Sequence, residues 1–220
     1  IMKKLIYLFL TVLIVACSGD DDGDSNQSSC NGDTPVYLAD NGVTIKACPN
    51  AQIGDTGNLN GFTYTIVSEQ QLRDYVSSNY PDLNRLVTTQ VTDMRSLLDE
   101  DASFNQDISS WDVSNVTDMS FFFYGSSSFN QDISSWDVSN VTGMSSMFYG
   151  ASSFNQPIGY WDVSNVTNMF RMISSAVAFN QDISSWNVDG VTYCEEFSYN
   201  TPQFTLPKPN FTNCSCNCTP

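Results

Sequence analysis

The chain has 220 residues, with 24 acidic side chains against 8 basic ones, no histidine, and a formal net charge of −16. That acidity excludes nucleic acid and anionic headgroups as partners, because like charge repels them. The missing imidazole excludes Ser-His-Asp and Cys-His catalysis, and histidine zinc sites with them.

At the start, Lys3 and Lys4 precede an apolar run from Leu5 to Ala16, which has the form of a secretory signal and is short for a membrane span. Val15-Ala16-Cys17 reads as a lipoprotein cleavage site, so residues 1–16 are predicted to be a signal peptide and Cys17 the lipidated residue. A multi-chain anchor on Cys17 would be the only attachment to a membrane. Residues 17–30 place Asp20, Asp21, Asp22 and Asp24 among Gly and Ser, which makes a solvated tether. The run also resembles the acidic export signal that some Gram-negative bacteria place after the lipidated cysteine. The expected location is therefore the bacterial outer membrane, lipid-anchored and exposed at the cell surface. The D-x-D-G text in the tether lacks the later ligand that a helix-flanked calcium loop requires, and no metal or other cofactor is expected.

Residues 31–78 do not repeat. Val43–Ala47 and Phe62–Val67 alternate and are rich in β-formers, with Asn-Gly turn signals at 41–42 and 60–61. Ser68-Glu69-Gln70-Gln71 fits a capping box, and Leu72, Tyr75 and Val76 follow at helical spacing. Strands followed by one helix predict a small N-terminal α+β cap.

Residues 79–203 repeat with a period of 25: Trp111, Trp136, Trp161 and Trp186 mark one column, and Phe104, Phe129, Phe154 and Phe179 another. Leu86 stands at the tryptophan position of an earlier, degenerate unit, which gives five units: 79–103, 104–128, 129–153, 154–178 and 179–203. Such a unit buries its apolar face only by stacking on a neighbour. Trp111 and Val113 alternate around Asp112, as in a short strand, while Val116, Met119, Phe122 and Phe123 recur at spacings of three and four, as in a short helix. The expected fold is α/β, a short right-handed solenoid of leucine-rich-repeat type with about five coils and the tryptophans inward. Asn105, Asn130, Asn155 and Asn180 form a further column, read as bonding backbone turns.

Residues 204–220 form a cysteine-rich tail. With Cys17 set aside, Cys30, Cys48, Cys194, Cys214, Cys216 and Cys218 remain, an even number that reads as disulfides in an exported protein. Cys30 and Cys48 flank one short segment and form the natural pair. Cys194 takes the place of Met119, Met144 and Met169, so it should point inward and bond one cysteine of the 214–218 cluster.

Carboxylates are the remaining acid/base candidates. Asp107, Asp132 and Asp182 form one column, and Asp112, Asp137 and Asp162 another. Catalysis by paired carboxylates needs two different environments, whereas identical rungs point to turn capping; no enzyme is expected. Unit 154–178 departs most from its neighbours, with Pro157, Gly159, Tyr160, Phe170 and Arg171. Exposed Tyr, Phe and Arg have hot-spot composition, so Tyr160 with Asp137 and Asp162, and Phe170 with Arg171, are the candidate binding residues.

The units F-N-Q-D-I-S-S-W-D-V-S-N-V-T-x-M-x-x-M-F-x-x-A resemble those of BspA-like leucine-rich-repeat surface proteins, most closely at 104–178. The resemblance implies a surface-exposed protein in a group some of whose members adhere to matrix proteins or to other cells, and it brings no catalytic residue. The expected function is a non-enzymatic cell-surface lipoprotein for adhesion or protein recognition, with an extracellular protein or glycan as partner. A carbohydrate-binding lipoprotein is the alternative. An ice- or mineral-binding face built on the Thr117, Thr142 and Thr167 column is the third reading.

Overall fold

A computed structural model describes residues 30, 34–79 and 81–214 of the chain. The signal peptide, Cys17, nearly all of the tether, Cys216 and Cys218 lie outside the described residues. Among the described residues no helix is long and apolar enough to cross a membrane.

The named strands and the α-helix all lie between Val36 and Val87. Strands β1 (Val36–Leu38) and β2 (Ile45–Ala47) pair antiparallel. Strands β3 (Thr56–Leu59) and β4 (Phe62–Ile66) form a hairpin, whose turn places Asn60 and Gly61 at φ 53° and 82°, the two left-handed residues that a tight hairpin turn requires. Helix α1 (Glu69–Ser77) opens on the Ser68–Gln71 capping box, both halves of which are formed. A 3-10 turn at Leu83–Arg85 then leads into β5 (Leu86–Val87), which lies parallel to β4. The first, degenerate unit thus supplies the third strand of the second sheet.

The α/β leucine-rich-repeat solenoid expected from the period is not what the chain forms. Among the described residues, five short strands and one nine-residue α-helix are the named elements besides the 3-10 turn, and past Val87 none of them lies in a strand or a helix. Trp111–Val113 carries no regular element, and the stretch from Val116 to Phe123, expected as a helix, passes through an isolated bridge at Asp118 into turns from Ser120. Two facts account for the missing helices. Alternate N–H groups point at the following unit: those of Met119, Phe121, Phe123 and Gly125 donate to the carbonyls of Gly143, Ser145, Met147 and Tyr149, so they are withheld from helical i→i−4 bonding. Phe121 and Gly125 also sit at φ 61° and 70°, in the left-handed region that ends a right-handed helix. Between these residues the chain closes i→i+3 turns, such as Phe122 N–H to the Met119 carbonyl. Such turns return side chains to one face every three or four residues, as a helix does.

Isolated parallel bridges join Asp93, Asp118, Gly143, Asn168 and Tyr193 in sequence, and the segment around them is called the ladder face below. Inside lie the tryptophans, each buried, with the indole Nε1–H donating to a carbonyl 28 residues earlier: Trp111 to Leu83, Trp136 to Ile108, Trp161 to Ile133 and Trp186 to Ile158. Phe104, Phe129, Phe154 and Phe179 stack at 5.9–6.0 Å between centroids. Burial of each large side chain contributes about 1.5–3 kcal/mol. The 25-residue repeat and the inward column are therefore real, but turns carry them.

Cys30 is bonded to Cys48, and Cys194 to Cys214. Phe204 extends the phenylalanine column edge-on to Phe179, and Phe211 packs on Phe197, so the described tail closes over the last unit.

Candidate functional site

The aspartate columns act as turn caps. Asp107, Asp132 and Asp182 accept the N–H groups of Ser109, Ser134 and Ser184 at 2.9, 2.9 and 3.0 Å. Asp112, Asp137 and Asp162 accept those of Ser114, Ser139 and Ser164 at 3.2, 3.1 and 3.0 Å. A side-chain oxygen that binds the backbone two residues on fixes a turn. The hydroxyl and then the N–H of Ser164 hold the Asp162 carboxyl below the ordinary carboxylate range. The N–H and hydroxyl of Ser184 do the same for Asp182.

The five candidate binding residues fall in separate places. Tyr160 is 93% exposed. Its counterparts Ser110 and Ser135 lie under the N-terminal unit, where the Ser110 carbonyl accepts the Ile45 N–H and the Ser135 carbonyl accepts from Asn41 Nδ2. Asp137 lines a cleft of about 240 Å³ with Asp112, Lys46, Asn41 and Ser135, and neither Tyr160 nor Asp162 lines it. Asp162 is exposed in its own turn. Phe170 and Arg171 are half-buried on the ladder segment, with the guanidinium 4.9 Å from the Phe170 centroid and paired with Glu196 at 2.8 Å.

Most repeating polar side chains are engaged between units. The Oδ1 atoms of Asn105, Asn130 and Asn155 accept the N–H groups of Asn130, Asn155 and Asn180, while Gln131, Gln156 and Gln181 donate to the same asparagines. The Asn115, Asn140 and Asn165 amides donate to the carbonyls of Thr89, Ser114 and Ser139. The Thr117, Thr142 and Thr167 hydroxyls donate to the preceding threonine carbonyls, which commits the protons that a hydroxyl lattice would present.

On the ladder face a second cleft, of about 560 Å³, is lined by Arg73, Asp93, Arg95, Asp118, Ser120, Phe121, Ser145 and Asn168. Gly143, the one glycine among the bridged residues, lies between the lining residues Asp118 and Asn168 on the ladder. A Cβ there would meet Asp118 Oδ1 at 2.8 Å and Ser120 Oγ at 3.1 Å, so the neighbouring carboxylate leans into the space that a side chain would fill. Phe121 stands at the edge, 42% exposed. Arg95 holds the Asp93 carboxyl below the ordinary carboxylate range by direct hydrogen bonding, and its Nε lies 3.8 Å from Asp118. Neither Tyr160 nor Arg171 lines this cleft, although the Asp, Asp, Gly, Asn, Tyr succession at residues 93, 118, 143, 168 and 193 is a readable signal of a position the frame does not fix.

Residues 68–176 and 135–216 match the family described as "Mycoplasma protein of unknown function, DUF285", and together they take in more than half of the chain. No curated protein and no solved structure matches.

Proposed function

We propose that this chain, which belongs to the DUF285 family, is a non-enzymatic recognition module displayed at a cell surface, where it serves adhesion through its repeat surface. One observation carries the reading: the repeating carboxylates, amides and hydroxyls serve turns and the contacts between units, while Tyr160, Phe121 and Tyr193, which differ from their counterparts in other units, are exposed. Repetition supplies a rigid frame and variation supplies the contact. The aspartate columns support a non-enzymatic role, because rung after rung accepts the N–H of the serine two residues on, as a turn cap does.

The resemblance of leader and repeats to BspA-like surface lipoproteins supports anchoring through Cys17 and an extracellular protein as partner. Cys17→Ser is expected to move the chain from the membrane fraction to the soluble fraction, and protease applied to intact cells is expected to remove the wild-type chain. Retention of the variant in membranes would overturn the anchor; protection from protease would overturn the display. Binding of the soluble variant to immobilised matrix proteins tests the partner.

A carbohydrate partner is the second reading, favoured by the polar cleft with an exposed ring at its edge over Gly143.

A further inference from the structure

We propose that the cleft over Gly143 is a saccharide subsite that takes a neutral pyranose of a larger glycan, an inference that rests on the carbohydrate reading of the recognition module. Three features of the cleft support it. The first is charge: in a chain of net −16, the lining brings two guanidiniums, Arg73 and Arg95, against two carboxylates, Asp93 and Asp118. Such a balanced surface neither attracts a polyanion nor selects a cation.

The second is hydrogen-bonding capacity. The Asn115, Asn140 and Asn165 amides are tied to backbone carbonyls, whereas Asn168 uses Oδ1 for the Phe170 N–H and its Nδ2 has no acceptor among the described residues. Asp118 uses Oδ1 for the Ser120 N–H, which leaves Oδ2 with only the Arg95 guanidinium at 3.8 Å. An amide donor and a carboxylate acceptor on either side of Gly143 match a sugar hydroxyl pair, since each hydroxyl both donates and accepts. Phe121 offers a ring at the edge for the apolar face of a pyranose.

The third is room. A cleft of about 560 Å³ lies within the range of small-ligand sites, and its Asp118 carboxylate sits where a Cβ on residue 143 would press on it, at 2.8 Å. Gly143 is not at a positive φ, so its missing side chain makes room for the Asp118 carboxylate rather than giving backbone freedom.

The test uses two variants that copy residues already carried at the same place in another unit, so the frame is kept. Gly143→Asn repeats Asn168 and displaces the Asp118 carboxylate, which a Cβ there would meet at 2.8 Å; Phe121→Ser repeats Ser146 and removes the ring. The probe is an array of neutral tri- to hexasaccharides of glucose, galactose, mannose and xylose, with sialylated and sulfated glycans as charged controls, followed by calorimetric titration of the best binder into the full chain. Wild type is expected to bind a neutral series in preference to the charged controls. Each variant is expected to weaken that binding about tenfold or more, and Tyr160→Ala to leave it within about twofold. Absence of neutral-saccharide binding by wild type, preference for the charged glycans, or unchanged binding by both variants would overturn the subsite. Adherence of the chain to intact cells, measured alongside, separates the two levels. Adherence that survives Gly143→Asn while saccharide binding is absent defeats this cleft alone, and adherence absent from wild type defeats the recognition reading.

Discussion

Asp112 and Asp137 stand one unit apart in the same column, yet Asp137 is exposed and Asp112 is 2% exposed. The difference comes from β2, which lies over the first units and brings Lys46 Nζ to 3.6 Å from Asp112 Oδ1 and 3.3 Å from the Ser114 hydroxyl. Asp112 Oδ2 has no hydrogen-bond partner among the described residues, so the ammonium adds its charge to the two Ser114 bonds on Oδ1 in compensating a carboxylate removed from water. Breaking a buried pair from one side costs more than replacing both members. Lys46→Met is therefore expected to lower unfolding free energy by about 1–3 kcal/mol, discounted because the lysine end is partly solvated. Adding Asp112→Asn should restore a large part of the loss, as read from urea denaturation of the single and double variants.

At the scale of elements, helix α1 closes the open edge of the ladder. The carbonyls of Asp118 and Ser120 accept the N–H groups of Met94 and Ser96 from the preceding unit. Asp93 and Arg95 have no preceding unit, and their carbonyls accept instead from the Arg73 guanidinium, at 3.3 and 2.9 Å. Arg73→Met is expected to cost about 1–2 kcal/mol and to speed amide exchange over residues 92–98 while leaving residues beyond 143 unchanged; uniform acceleration would show that the edge is not the point of failure. The start of α1 was legible because a capping box is a local arrangement of Ser68 and Gln71, and the β3–β4 turn because Asn60-Gly61 is nearly specific for it. The tryptophan column was legible because indoles repeating at one interval have a core as their natural place. The helices expected in each unit were a misreading of a spacing that i→i+3 turns share. Left-handed Phe121 and Arg171, which break the helix, are not residues that announce that conformation. The same limit hid the cleft: Tyr160 could be seen as a departure from its own column, whereas Gly143 and Phe121 form a site only through two columns and two units.

For the whole molecule, acid has two opposed effects. Protonation relieves self-repulsion in a chain of net −16, while Asp93, Asp162 and Asp182 hold their carboxyls below the ordinary value when folded. A folded-state value below the unfolded one means that the unfolded chain binds more protons. The contribution of these groups is therefore complete above about pH 4 and is lost as pH falls through their folded values. Melting temperature is expected to fall as pH drops below about 4, and Ser164→Ala, which removes the leading cause of the Asp162 shift, should make that fall shallower. The indole bonds have a different consequence, one of direction. Each joins a later donor to an earlier carbonyl, 28 residues back. A fragment that starts midway would bury an indole N–H with no acceptor, a loss of about 1–3 kcal/mol. A fragment that stops midway leaves of the indole bond only a carbonyl, and of the ladder its last N–H groups, all of which water can reach at the open end. A nascent chain is always of the second kind, so every unit it completes can lock onto one already formed, and growth from the amino end proceeds as a ratchet.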